Sequence, residues 1–372
     1  MPTMKRFDVC VRGSGAVGSS LALALARQGL QVAITALPAP TGAGSDIRAY
    51  ALNAASREML LSLKAWLALP GDAVTAVHEM RVLGDAPAGA LDFSAWQQSV
   101  EALAWIVDAA ELESALRAAI RFAPHLQVVD QPVDAELTVW ADGKTSAAYG
   151  ELGVQVQRHA YGQTAVAARL HCDRPHGHIA RQWFRAPDVL ALLPFDRPLP
   201  GHGFALVWSL PSAQAEAMLQ LDDAAFEARL NEATGASVGA LHLAGARAAW
   251  PLSLAQAEPL CGPGWVLVGD AAHVVHPLAG QGLNLGLADV ASLASVLAAR
   301  ESWRTPGDVT LLRRHVRARN LPTRAMAGVT DGLLQLFSSE LPLARELRNR
   351  GMGLLNHLTP IKRLLTARAL DA

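Results

Sequence analysis

The sequence has little charge and almost no cysteine. Only 17% of its 372 residues are charged, and 32 lysines and arginines nearly balance 33 aspartates and glutamates, for a formal charge of -1 and a pI of about 6.9. No basic field is available for a nucleic-acid partner. The three cysteines, Cys10, Cys172 and Cys261, lie far apart and form no CxxC pair. That excludes a disulfide framework and points to reduced thiols in a cytosolic protein. No apolar run reaches the roughly 18 residues needed to span a bilayer, since the stretch 283–299 is interrupted by Asn284 and Asp289. MPTMKRFDVC enters a strand without the apolar region of a signal peptide. There is no GxSxG elbow and no carboxylate pair marked by spacing alone. The expectation is a cytoplasmic protein that can lie on a membrane surface.

What is present is apolar. A mean hydropathy of +0.20 is ample for a core of two domains or one elaborated domain. Phe7 to Val11 is a strand, Gly13-Ser14-Gly15-Ala16-Val17-Gly18 opens a helix, and Gln31 to Thr35 is the returning strand. In this βαβ unit Gly13 makes the tight turn, Gly15 lets a pyrophosphate reach the backbone, and Gly18 lets helix and strand pack closely. The acidic residue expected at the end of the second strand is absent: that position is Ala36, and no carboxylate precedes Asp46.

Another strand, Leu137 to Trp140, leads into Asp142-Gly143, and a further one, Trp265 to Val268, ends in Gly269-Asp270. A carboxylate at the carboxyl edge of a buried strand suits sugar hydroxyls. Pro277, Gly280 and Gly282 then form a turn that can approach a flat ligand closely. Leu283, Leu287, Val290, Ala294 and Leu297 recur at helical spacing, so the helix beginning near Gly282 aims its free N–H groups at whatever the turn holds. Residues 150–250 are strand-like, with one helix near Asp222 to Glu232. His171, Cys172, His176 and His178 do not suit a metal, because a strand alternates faces and Pro175 breaks the run. His273 and His276 flank Pro277's turn and are read as structural or cofactor-adjacent. No metal is expected.

Taken in order, GxGxxG, the Arg48 segment DIRAYALN, ADG at 141–143, YGQ at 161–163, LALLPF at 190–195 and GDAAHxxxPxxGQGLN at 269–284 resemble the class A flavoprotein monooxygenases, the p-hydroxybenzoate hydroxylase-like group. Within that group the similarity is to the ubiquinone-biosynthesis hydroxylases. The resemblance implies an α/β fold: a Rossmann-like FAD-binding domain (1–73, 101–149, 251–330) with an inserted antiparallel-sheet substrate domain (74–100, 150–250) and C-terminal helices (331–372). It implies FAD as cofactor, NAD(P)H and O2 as co-substrates, and hydroxylation of a prenylated phenol in ubiquinone biosynthesis.

By the same resemblance Gly13, Gly15 and Gly18 hold the pyrophosphate, Asp270 holds a ribityl hydroxyl, and Pro277, Gly280, Gly282, Leu283 and Asn284 line the pyrimidine edge. Arg48, Asp142 and Gly143 stand near the reduction path, and no catalytic base is singled out. Relatives carry Arg or Gln where this chain has Ala109-Ala110. Two alternatives stay open: a flavin oxidoreductase acting on a lipid without oxygen insertion, and a non-catalytic quinone-pathway subunit with a weakened FAD site. Beyond Leu341 the cations Arg345, Arg348, Arg350, Lys362, Arg363 and Arg368 outnumber Glu346 and Asp371. That composition suits an anionic membrane surface. Other quinone-biosynthesis proteins are expected partners.

Overall fold

The computed structural model describes residues 7–35, 46–84, 90–235, 237–275 and 281–338. Six strands form the first sheet in the order β15 (Cys261–Gly262), β16 (Trp265–Leu267), β9 (Ala135–Trp140), β1 (Phe7–Arg12), β2 (Val32–Thr35) and β8 (Leu126–Val129). All its pairs are parallel except β15 with β16. Parallel strands are buried on both faces, and Val9, Cys10 and Val11 are accordingly inaccessible to solvent. Helices α1 (Ala16–Arg27), α2 (Ala54–Ser62), α4 (Ala109–Arg121), α8 (Gln281–Ala298) and α9 (Val309–Ser338) share one apolar core with this sheet through residues such as Leu21, Leu25, Leu60, Leu112, Leu287, Leu293 and Leu311.

The second sheet has eight strands: β17 (His273–Val274), β14 (Leu241–Glu258), β10 (Gln155–Cys172), β13 (Gly203–Pro211), β12 (Asp188–Phe195), β11 (Ile179–Arg185), β5 (Glu79–Leu83) and β6 (Ala90–Ser94). It is antiparallel apart from β11 with β5. Along β10, Val166, Ala168 and Leu170 pack against α6 (Ser212–Gln220) and α7 (Asp223–Thr234) on the outer side. Strand alternation sends Ala165, Ala167 and Arg169 to the inner face. There the cross-strand registers align Ala248, Ala167, Val207 and Ala191 in one row and Trp250, Ala165, Ser209 and Val189 in the next. Further along the same face Phe195 and Ala180 pack against a third sheet, β3 (Ala49–Leu52), β7 (Ala104–Asp108) and β4 (Val74–Val77). The short helices α3 (Ala95–Gln98) and α5 (Ala148–Glu151) complete the list.

The boundaries differ from expectation in three places. β14 runs through the expected border at 250, because Pro251 sits beside a register break in its pairing with β10, where a missing N–H does no harm. Of the segment 74–100, only β5 and β6 join the large sheet, while β4 pairs with β7. α9 crosses the border expected at 330, and residues 339–372, with their basic composition, lie outside the described residues. Among the described residues no helix is long and apolar enough to cross a membrane.

Candidate active site

The carboxyl ends of β1, β9 and β16 stand side by side, tied by Ala141 N to Arg12 O at 2.8 Å and Val268 N to Trp140 O at 3.0 Å. Gly13, Asp142-Gly143 and Gly269-Asp270 therefore open onto a single crevice, the edge at which open α/β sheets bind ligands. The three glycines of the first turn have different tasks. A Cβ on Gly13 would lie 2.4 Å from Ala141 O, and one on Gly18 only 2.0 Å from Gly13 O. Those two are demanded by the packing of strand against helix. A Cβ on Gly15 would meet nothing within 4 Å. Gly15 caps α1 without a side-chain hydrogen bond, and α1 has no acidic residue in its first turn. The space beside Gly15 is thus faced by free N–H groups and the positive end of a helix, which fits a pyrophosphate.

Two carboxylates border the crevice. Asp142 Oδ2 accepts from Ala147 N at 2.9 Å, while its Oδ1 is buried without a hydrogen-bond partner. Asp270 is half-buried in the turn after β16 and makes no hydrogen bond among the described residues. Burial pushes its pKa up, opposed by Lys144, His273 and Arg48. Acceptors left open in this way suit the hydroxyls of a cofactor's sugar chain.

The other expected site residues are placed as follows. Pro277 and Gly280, with Ala36, lie outside the described residues. Gly282 stands in the first turn of α8 with open space beside it, and Leu283 packs against the main core. The side chain of Asn284 is buried and hydrogen-bonded inside the protein. Its Oδ1 accepts from Asn53 N (3.1 Å) and Ser56 Oγ (2.8 Å), and its Nδ2 donates to Ala51 O (2.8 Å). Only its backbone is left for a ligand. Arg48 is held by Asp46 at 2.6 Å and Glu113 at 3.3 Å, and the Asp46 bond raises its pKa. Its carbonyl accepts from Arg169 Nη2 at 2.7 Å and from Ala109 N at 3.2 Å, so the buried Ala109 has a backbone role here. Arg169 thereby ties the large sheet to the segment that leads into β3. Of the histidines near Cys172, His171 stacks on His242 and His176 bonds Asp196 at 3.2 Å, while Cys172 Sγ donates to Val238 O.

One constellation has no local signature in the sequence. Asp289, buried on α8, accepts from Gly269 N (3.0 Å), His273 Nε2 (2.7 Å) and Arg319 Nε (2.8 Å). Burial alone would raise its pKa, but His273 and Arg319 outweigh it and hold the carboxyl well below the usual range. His273 is raised in turn, Asp289 overcoming burial.

Beside this group His315 is bonded to Ser292 Oγ at 2.9 Å, and burial depresses its pKa from 6.5 to about 4. The unfolded chain therefore binds this proton first as pH falls. Stability is expected to drop between pH 6.5 and about 4, by about 3 kcal/mol from this residue. His315→Asn should flatten that acid limb in urea unfolding measured across the pH range. His273 has the opposite sign, its contribution being lost as pH rises through its raised pKa.

Comparison with known proteins places this architecture. The FAD binding domain family matches residues 106–326. The ubiquinone hydroxylase UbiL of Rhodospirillum rubrum is 31% identical over 388 residues, covering 98% of this chain and 89% of that protein. The chain belongs to the family of FAD-dependent ubiquinone-biosynthesis hydroxylases. Another relative of this flavin monooxygenase, the 3-demethoxyubiquinol 3-hydroxylase of Escherichia coli, is 30% identical over 386 residues and covers 96% of each chain. Among solved structures, PqsL of Pseudomonas aeruginosa, a probable FAD-dependent monooxygenase, shares the fold with a TM-score of 0.75. It is 19% identical, and the match covers 94% of this chain and 99% of that one. The cofactor of the monooxygenase is FAD. Its phosphates fit the space beside Gly15, and its sugar hydroxyls fit the unpartnered Oδ1 of Asp142 and the half-buried carboxylate of Asp270.

Proposed function

We propose that the protein hydroxylates a prenylated phenol in ubiquinone biosynthesis, using NAD(P)H and O2. The observation that carries this reading is the inner face of the large sheet, where Ala248, Ala167, Val207 and Ala191 lie beside Trp250, Ala165, Ser209 and Val189. Those two rows contain no ionisable group. They suit a flat, greasy ring held by shape rather than by charge. Two of the relatives named above are a ubiquinone hydroxylase and a 3-demethoxyubiquinol 3-hydroxylase, names that point to a substrate of that kind.

FAD, when bound, supplies the redox chemistry: it accepts hydride from NAD(P)H and activates O2 for transfer to the ring. The protein's own residues bind, orient and exclude water. Gly15 and the start of α1 take the pyrophosphate, Asp270 fixes the ribityl chain, and the apolar rows keep the reacting face dry. A cytoplasmic location with peripheral contact to the inner membrane is part of the same proposal, supported by the basic composition beyond Leu341.

The test is turnover of a prenylated phenol by the FAD-loaded protein under 18O2. One labelled oxygen atom in each product molecule is expected. Oxidation of the substrate without label would move the assignment to an oxidoreductase that inserts no oxygen. A purified, folded protein that takes up no FAD would point to the non-catalytic subunit.

A further inference from the structure

Asp289 gathers three donors from two separate parts of the chain. Its Oδ2 takes Gly269 N and His273 Nε2, at the two ends of a five-residue turn, and its Oδ1 takes Arg319 Nε from α9. Arg319 also reaches Leu285 O at 3.4 Å, one turn before Asp289 on α8. A buried ion pair is poor evidence for stability, because desolvation of both charges offsets their attraction. What this pair does accomplish is geometric. Asp270 lies inside the clamped turn, next to Gly269, whose φ of 61° already commits the backbone. With the turn fixed at both ends, the Asp270 carboxylate faces the crevice with little freedom.

We infer that Asp289, locked by Arg319, is a positioning residue that sets the orientation of Asp270 toward FAD, so that α9 controls cofactor affinity from outside the cofactor site. The inference rests on the reading that Asp270 contacts FAD.

The experiment is titration of full-length apoprotein with FAD, followed by flavin fluorescence and visible absorbance, for wild type, Arg319→Gln, Arg319→Lys, His273→Ala, Asp270→Ala and the double variant Asp270→Ala/Arg319→Gln. Arg319→Gln should weaken FAD binding about tenfold, and Arg319→Lys should recover most of that loss. His273→Ala leaves the ion pair in place, releases one end of the turn and should weaken binding about threefold, which keeps the test open even if Arg319→Gln fails to fold.

The deciding comparison is the double variant. If Arg319 acts through Asp270, it should bind FAD within about twofold of Asp270→Ala alone. Full additivity of the two losses, as a general loosening of the α8–α9 contact would give, overturns the inference. So do folded Arg319→Gln and His273→Ala proteins with wild-type affinity. An Asp270→Ala protein with undiminished affinity would instead remove the contact on which the inference rests, and wild-type protein that binds no FAD would overturn the functional reading with it.

Discussion

Gly15→Ala is expected to leave the apoprotein folded and strip it of most of its FAD, whereas Gly18→Ala should damage the fold itself. The two glycines stand three residues apart in one turn, yet their surroundings are opposite. The new methyl at Gly18 would be driven to 2.0 Å from Gly13 O and 3.3 Å from Ala141 Cβ, so β1, α1 and the loop after β9 would have to separate. Overpacking against backbone is destabilising by about 3 kcal/mol or more, a large share of a total stability of about 5–15 kcal/mol. At Gly15 the backbone is ordinary, with φ -68°, and the methyl meets no protein atom within 4 Å. It would occupy the space assigned to the pyrophosphate. A clash of about 1–3 kcal/mol there corresponds to roughly 5- to 150-fold weaker binding. Thermal melting of the apoproteins and FAD titration read the two effects separately. A Gly15→Ala protein with full flavin content would mean that the pyrophosphate lies elsewhere.

Asp270→Ala is expected to weaken FAD binding by about 10- to 150-fold, the equivalent of losing a charge-assisted hydrogen bond worth about 1.5–3 kcal/mol. The same substitution should not harm the apoprotein. Burial raises the pKa of this carboxyl in the folded state. The unfolded chain therefore loses the proton at lower pH than the folded chain, and wild-type stability declines as pH rises from the usual carboxylate value through the raised one. Removing the group removes that penalty, so the variant's apoprotein should melt at the wild-type temperature or above it at neutral pH. FAD affinity should also fall on acidification in wild type, as the acceptor is protonated, and this dependence should be absent from the variant. Loss of melting temperature together with loss of FAD would mark Asp270 as structural.

How much of this was legible in the sequence depends on how local each constraint is. Gly13 and Gly18 announce themselves because a tight turn and a helix–strand crossing exclude a Cβ within a few residues of chain. Asp142 and Asp270 were legible as carboxylates at strand ends, since burial of the preceding apolar run fixes where the strand stops. Asp289 shows in the sequence only as a break in an apolar stretch. Its partners lie 16, 20 and 30 residues away on two other elements, and no periodicity links them. Asn284 shows the reverse problem: an amide beside a glycine-rich turn is a natural ligand contact, yet its hydrogen bonds go to Asn53, Ser56 and Ala51, 231, 228 and 233 residues away. β10 and β14 each run for 18 residues, although Gly162 and Pro251 look like turn punctuation in the sequence. Both are absorbed near one register break.

The order of the first sheet bears on how the protein is made. β1 pairs with β9, and β9 with β16, so the crevice is bounded by segments near residues 12, 141 and 269. A ribosome delivers these far apart in time, and contacts of such long sequence separation form slowly. The glycine turn leaves the ribosome early, but it has no crevice wall until β16 has been synthesised. Capture of the flavin therefore waits until the chain has passed β16. In a cell short of FAD the sheet closes around an unfilled crevice, and the folded chain forgoes the stability that binding the cofactor would add.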